Sequence, residues 1–523
     1  MAPKQEPEPH TYEEAVNGPE REKWIAAIED ELQSLKQNHT WKLVDLPADR
    51  KAIGCKWIFK RKEDEHGNVV RYKARLVAQG FTQKFGTDYD EVFAPVVKQV
   101  TFRTLLSVAC RKKLLIKHAD VKTAYLNGEL KETVYMRQPP GCKSECTTAV
   151  CHLRRSLYGL KQAARVWNNT FDAVLKQMKF VPSVNDSCLY IRRVENRSTY
   201  LVIYVDDIIV ACQTEEEYDG IMRDLNKHFK VSSLGDIRHF LGIEVNHTAD
   251  GVTLNQTTYI KKLLLRFGME EAKPSKIPLD PGHLQTTKEE KDVLPNNHHY
   301  ASLVGGLLYV AVNTRPDIAA SVSILERKIS KPTQADWVEA KRVLRYLKHT
   351  MDHELALGTT DAPLTVYVDA DWAGDASDRK SSSGYVFRFK GGSICWSSKK
   401  QTCISLSSTE AEYIALADSC QEVCWILRLL QDFGEAATLP VTIHEDNQSC
   451  IKQLVSPNVG HRSKHVDTKH HFVREMQQKG DITTVYCLTG EMIADMMTKP
   501  LNAVKLTRFQ EAAGVQPSRR SVE

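Results

Sequence analysis

Apolar residues recur along this chain with two periods, and the changes of period mark its elements. Trp24, Ile25, Ile28, Leu32 and Leu35 return at helical spacing, which predicts a helix over 20–36 closed by Gln37-Asn38-His39. From Cys55 the pattern turns apolar and basic in KWIFKRK, passes the turn signal His66-Gly67-Asn68, and resumes in VVRYKARLVA up to Gln79. That composition predicts a long basic hairpin. Two further strand signals are Tyr200 to Cys212 and Leu364 to Asp369, with mostly helical sequence expected between them. Pro274, Pro278, Pro281 and Gly282, followed by the charged run Lys288 to Lys291, form the strongest boundary, and a softer one falls near Gly358 to Pro363. No internal repeat is present, and the residues from about Gly514 read as a disordered tail.

A chain of 523 residues, 42% hydrophobic and 26% charged, can bury several cores, so several domains are expected. The net charge of +5 permits a nucleic-acid partner without demanding one. The 13 cysteines are scattered, no secretory signal precedes them, and free thiols in a reducing compartment are expected. Cys142, Cys146, Cys151 and His152 match no zinc spacing. The segment Met1 to His10 is unlike a targeting peptide, and the apolar run Ser302 to Val312 is too short for a bilayer, so a soluble protein without a membrane partner is expected.

Candidate chemistry begins in LVIYVDDIIVAC, where Asp206 and Asp207 interrupt an apolar run. Ionised carboxylates are costly there unless a tight hairpin turn presents them to water or a cation. An acidic surface turn is the plain alternative. Upstream, HADVKTAYLNGEL places Asp120 after the apolar Leu114, Leu115 and Ile116 and five residues before Tyr125. Asp120 and the YVDD segment together resemble the two metal-binding motifs of reverse transcriptase palms. The resemblance implies that Asp120 and Asp206 bridge two magnesium ions, with Mn2+ as substitute, while Asp207 completes the cluster. There a 3′ hydroxyl attacks an α-phosphate. Tyr125 matches the aromatic gate against the sugar 2′ position, or is simply a core tyrosine.

RYKARLVAQGF and DEVFAPVVKQVTFRTLL resemble the fingers of copia-type polymerases, and SLYGLKQAARVW resembles their nucleotide-side palm motif. The resemblance makes Lys73 and Arg75 candidates to hold the incoming triphosphate. It places Tyr158, Gly159 and Lys161 along the nucleotide pocket. LGDIRHFLGIEV resembles the primer grip, with Leu241 and Gly242 at its turn.

A second set of acids follows. In LTVYVDADWAGD, alternation sets Leu364, Val366 and Val368 on one face and Thr365, Tyr367 and Asp369 on the other. SLSSTEAEYIALADSC opens a helix in which Ser407 and Glu410 suit a capping box, leaving Glu412 to face inward with Ala415 and Leu416. LPVTIHEDNQSCIKQL reads as a strand ending at Asp446, which is either a site acid or an N-cap. TGEMIADMMTKPL offers Asp495 on a short helix started by Thr489, or as a surface acid. Strand, helix, strand end and helix, in this order, resemble ribonuclease H, whose four acids bind two magnesium ions that activate water against an RNA phosphodiester. No histidine lies in 486–494, where many such enzymes carry one, a departure shared with copia-type members. His465, His470 and His471 sit on a basic helix suited to substrate or structural contacts.

From TYEEAVNGPEREKW to ADMMTKPL the chain resembles the reverse transcriptase and ribonuclease H portion of a copia-type LTR retrotransposon Pol polyprotein. The resemblance implies an α+β and α/β multidomain fold: a right-hand polymerase of fingers, palm and thumb, then a connection and a ribonuclease H-like domain. The expected divisions are a lead-in over 1–45, fingers and palm over 46–235, and a thumb-like region with linker over 236–290. A connection over 291–360, a ribonuclease H-like domain over 361–500 and a tail over 501–523 follow. Expected partners are an RNA template, a DNA primer or RNA:DNA hybrid, dNTPs, and the capsid and integrase products of the same element. Cytoplasmic virus-like particles with a nuclear phase are the expected location. An inactive relic or a domesticated nucleic-acid-binding protein is the competing reading, for which lost carboxylates would be the sign, yet all seven acids are present.

Overall fold

The computed structural model describes residues 7–63, 69–142, 148–285, 292–455 and 467–518. The expected His66-Gly67-Asn68 turn, Cys146, the run 288–291 and His465 lie outside these residues.

The helix Arg21–Gln37 forms as its spacing predicts, burying Trp24, Ile28 and Leu35. It docks on the hairpin of Cys55–Glu63 and Val69–Ala78, where Trp57 faces Leu76 and Phe59 faces Ala74. Trp24 meets the rings of Phe59 and Tyr72 edge-on at 5.3 and 4.7 Å. The Leu76 N–H donates to Glu31 at 3.3 Å, so the helix also caps an open strand edge.

Behind the hairpin stands a six-stranded antiparallel sheet in the order Val231–Asp236, Leu115–Val121, Asp207–Cys212, Arg197–Tyr204, Leu189–Val194 and Val181–Pro182. The helices Gln99–Arg111 and Ala163–Gln177 cover it with Phe102, Leu105, Leu106, Trp167, Phe171 and Leu175, all buried. A five-stranded mixed sheet forms the second catalytic candidate's frame: Gly392–Lys400, Ser382–Phe389 and Thr365–Asp371 run antiparallel, then Val441–Glu445 and Ile482–Tyr486 join in parallel. The long helix Ser408–Asp432 crosses one face of it.

The span between these sheets is less helical than its composition suggests. Five strands lie between Cys212 and Leu364, and four of them, His239–Phe240, Ile243–His247, Val252–Asn255 and His353–Leu357, build one sheet. That sheet is completed by Val515–Pro517, with Val515 opposite Leu355. The expected tail over 501–523 is therefore corrected: the helix Ala503–Ala512 buries Leu506 and Phe509, and residues 515–517 are a paired strand. A three-residue strand carries no periodicity, so its place is set by backbone pairing that sequence patterning does not register.

The bodies are joined through polar anchors set in a shared core. Arg103 on Gln99–Arg111 is buried, donating from Nε to Ile394 O at 2.7 Å and from Nη1 to Val312 O and Asn313 O at 3.0 and 2.9 Å. Its guanidinium also lies 4.0 Å from the Trp396 ring centroid. Nearby, Trp425 donates to Asn185 O at 3.0 Å, and Asp432 accepts from Ser183 and Asn185. Arg103→Ala should leave three carbonyls short of a charged donor and cost on the order of 3 kcal/mol. A fall in the midpoint of urea unfolding, only partly recovered by Arg103→Lys, is the expected result.

Candidate active sites in two carboxylate clusters

The turn of the hairpin Arg197–Tyr204 and Asp207–Cys212 consists of Val205 and Asp206, with Val205 at φ +56. The Val205 carbonyl accepts the Trp167 indole N–H at 2.6 Å and the Asp206 carbonyl accepts Val121 N–H at 2.8 Å, so a left-handed valine is held in place from two sides. Asp207 stands directly opposite Asp120 on the neighbouring strand. Burial raises the Asp206 carboxyl above its ordinary pKa, and Asp207 and Asp120 add to the rise. His118, two residues before Asp120, meets Asp207 Oδ1 through Nε2 at 3.1 Å.

The basic hairpin brings its charge to this turn. Burial, then Arg75, Arg71 and Lys62, hold the Lys73 ammonium below its ordinary pKa, while Asp120 opposes the shift. The Arg75 guanidinium lies 4.6 Å from the Tyr158 ring centroid, and Tyr158 and Tyr125 have centroids 4.6 Å apart. Burial raises both phenols, so each stays a neutral donor. Gly159 is at φ +89, and a Cβ there would come 2.1 Å from Ala78 O, which explains a glycine between hairpin and pocket. Lys161 turns instead to the adjoining loop, donating to Tyr89 Oη at 3.0 Å and Gln83 O at 3.4 Å. Leu241 and Gly242 form the turn between His239–Phe240 and Ile243–His247, and Tyr309 Oη donates to Leu241 O.

In the second cluster, Asp369 on Thr365–Asp371, Glu412 on Ser408–Asp432 and Asp446 after Val441–Glu445 place an oxygen each within 4.8 Å of one another. Among the described residues no other acid, His or Cys trio is this close, the Asp120–Asp206–Asp207 group included. Burial pushes the Asp369 carboxyl up to about 7, with Asp495 and Asp446 contributing. Burial raises Glu412 as well, helped by Glu445, Asp369 and Asp446. Glu412 Oε2 and Glu445 Oε2 are buried without a hydrogen-bond partner among the described residues. Orphaned carboxylate oxygens beside three converging acids fit a hard divalent cation.

The alternatives left open by the sequence divide here. Asn447 Oδ1, rather than Asp446, accepts the Cys450 N–H as cap of Gln448–Val455, so Asp446 keeps its oxygens for the cluster and for Thr489, which donates to Oδ2 at 2.8 Å. Thr489 does not start the Asp495 helix: that helix is Asp495–Thr498. Ser407 caps Ser408–Asp432, while the Glu410 carboxylate returns to Leu406 N–H at 2.8 Å. His470 is buried, its ring centroid 3.7 Å from that of Tyr413.

Four residues of these sites escape sequence reasoning. Glu445 ends the inward alternation of Val441 and Ile443, a signal that was legible. Lys499 lies 2.7 Å from Asp495 Oδ1 and 3.6 Å from Asp369 Oδ2, one turn after Asp495. Lys505 pairs with Asp495 Oδ2 from another helix, which no local spacing announces. His118 shares a strand face with Asp120, a relation alternation does supply.

A family described as reverse transcriptase (RNA-dependent DNA polymerase) matches residues 38–281. The chain is 40% identical over 519 residues to the retrovirus-related Pol polyprotein from transposon TNT 1-94 of Nicotiana tabacum, covering 97% of this chain and 39% of that protein. It is 38% identical over 512 residues to the Pol polyprotein from transposon RE2 of Arabidopsis thaliana, covering 97% of this chain and 35% of that protein. It is also 35% identical over 311 residues to the Ty5-1 transposon protein of Saccharomyces cerevisiae, covering 58% of this chain and 100% of that protein. The chain thus spans well under half the length of the two Pol polyproteins it matches.

The Asp369 shift has a measurable sign. An ordinary Asp ionises at 3.8 and the folded Asp369 at about 7, so the folded state binds this proton more tightly. Its stabilising contribution is complete below pH ~4 and is lost as pH rises through ~7. In metal-free buffer the melting temperature should rise as pH falls from about 8 to about 6. Asp369→Asn should flatten that slope.

Proposed function

We propose, from the premise that this chain belongs to the copia-type retrotransposon Pol family whose members carry a reverse transcriptase, that it is an RNA- and DNA-directed DNA polymerase with ribonuclease H activity. The reading is carried by one observation: a single chain holds two separate carboxylate clusters, one on a β-turn beside a basic hairpin and one buried on a mixed sheet. In this reading the hairpin is the fingers, the six-stranded sheet the palm, and the hairpin at Leu241–Gly242 the primer grip of a right hand.

Asp120, Asp206 and Asp207 would hold divalent magnesium at the polymerase site, and Asp369, Glu412, Asp446 and Asp495 would hold it at the nuclease site. Bound there, the ions supply charge for the attacking and leaving oxygens of phosphoryl transfer. The chain's own groups orient the substrates. Arg75 and Lys73 offer donors to the triphosphate of a dNTP, and the Arg75 guanidinium rests over the Tyr158 ring. Tyr125, packed against Tyr158 at a tilt and within electrostatic reach of Asp206, stands against the sugar and disfavours a 2′-hydroxyl. An RNA template with a DNA primer fits both sites in turn, since an A-form hybrid is gripped through backbone and 2′-hydroxyl contacts. The capsid and integrase products of the same element are its proposed partners, and cytoplasmic particles with a nuclear phase its proposed location. No helix among the described residues is long and apolar enough to cross a membrane.

Primer extension on poly(rA)/oligo(dT) with dTTP and magnesium tests the first activity. Wild-type chain should extend the primer, and Asp206→Ala with Asp207→Ala should lower the rate by at least about a thousandfold, the scale expected when a metal-ion clamp on the transferred phosphoryl group is lost. Release of labelled RNA from a hybrid tests the second, with Asp446→Asn silencing it while leaving extension intact. A folded wild-type chain that does neither would favour the relic or nucleic-acid-binding reading.

A further inference from the structure

The acids of the second cluster fall into two unlike halves. Asp369, Glu412 and Asp446 converge with an orphaned Glu412 oxygen between them and no ammonium group bonded to Glu412 or Asp446 among the described residues. Asp495, which has no exposed surface, instead has a lysine on either side, although its Oδ1, like Glu412 Oε2, accepts no well-aligned hydrogen bond among the described residues. Lys505 Nζ contacts its Oδ2, and Lys499 Nζ sits 2.7 Å from its Oδ1 and 3.6 Å from Asp369 Oδ2. Among the described residues Lys499 is the cation that bridges the two halves. Its side chain is 34% exposed, so it reaches the acids from the solvent side and has an open path back to water.

We propose that Lys499 is a positioning residue acting as a tethered cation: it occupies the place between Asp369 and Asp495 that a second divalent ion takes, and so makes the two ions load in order. The inference rests on the reading of this cluster as a metal-binding nuclease site. A buried carboxylate needs a proton or a cation in every state of the protein, and Lys499 supplies a cation to Asp369 and Asp495 before the ion arrives. The first ion, at Asp369, Glu412 and Asp446, meets Lys499 only at the edge of the trio, 3.6 Å from Asp369 Oδ2 against 2.7 Å at Asp495 Oδ1. The second must displace Lys499, regaining the hydration of a freed ammonium but losing its attraction to two acids. Lys505 stays on Asp495 throughout and keeps that side chain aimed at the cluster. Thr498, which donates to Asp369 Oδ2, does the same for the shared acid. The weaker ion is therefore the one that senses Lys499 most.

Calorimetric titration of Mn2+ into the full chain, with Asp206→Asn and Asp207→Asn in every sample to silence the first cluster, reads the two steps apart. Wild-type residues at 499 and 505 should give a tight and a weak step. Lys499→Gln should tighten the weak step by about tenfold, from removal of one positive charge within contact range, and tighten the tight step by clearly less. Lys499→Arg should keep the weak step weak. A second readout needs no variant at 499: acylation of the Lys499 amine, followed by mass spectrometry, should rise only as the weak step fills. Equal weak steps in folded Lys499→Gln and wild type, or an amine whose reactivity ignores Mn2+, would overturn the tethered-cation role while leaving the nuclease reading standing. Absence of any Mn2+ binding to the second cluster would overturn both.

Discussion

Carboxylates repel one another, and burial multiplies the repulsion, yet this protein gathers them in two places. Everything near those places answers that cost. At the first, the aspartates sit at the mouth of a two-residue turn, where they remain partly exposed and need little more than His118 and the nearby hairpin cations. At the second, Asp369, Glu412 and Glu445 are buried, and protons or lysines offset their charge. Two solutions to one electrostatic problem follow from two depths of burial.

The hairpin of Cys55–Glu63 and Val69–Ala78 shows the converse arrangement for positive charge. Acids of the N-terminal segment take up its outer cations: Glu8 pairs with Lys60 at 2.6 Å, Asp30 with Arg71 at 3.1 Å and Glu20 with Arg61 at 3.4 Å. Of these the exposed Asp30–Arg71 pair contributes little stability, while Arg61 is largely buried in its pair with Glu20. Their effect is distributional, because Lys73 and Arg75, which make no ion pair among the described residues, are the hairpin cations that act on Asp120 and Asp206. Positive charge is thereby concentrated where a triphosphate would lie.

A shared core and the buried Arg103 fix the two clusters on one frame. The hydrophobic cluster runs without a break from the helix Gln99–Arg111 through the six-stranded sheet to the helix Ser408–Asp432 and the mixed sheet. Among the described residues Arg103 has carbonyl acceptors and a tryptophan face as partners, and burial lowers its pKa to about 10. Such a contact is intolerant of sliding, since Ile394 O belongs to a strand of the mixed sheet and Val312 O and Asn313 O to the end of the helix His298–Asn313. The two carboxylate clusters are therefore held at a fixed separation.

The sequence by itself determined the local chemistry. Alternation placed Asp369 off the core face of its strand, helical spacing turned Glu412 inward, and the apolar flanks of Asp206 and Asp207 required a turn at the pair. These signals are readable because periods of two and 3.6 residues decide which side of an element a residue takes. Only the tertiary structure decided which acids share a site and what neutralises them. Lys505 reaches Asp495 from a separate helix, Asn447 relieves Asp446 of capping, and Val515–Pro517 closes a sheet begun near His239. Each depends on through-space partners distant in sequence or on competition between adjacent side chains for one donor, and neither leaves a periodic trace along the chain.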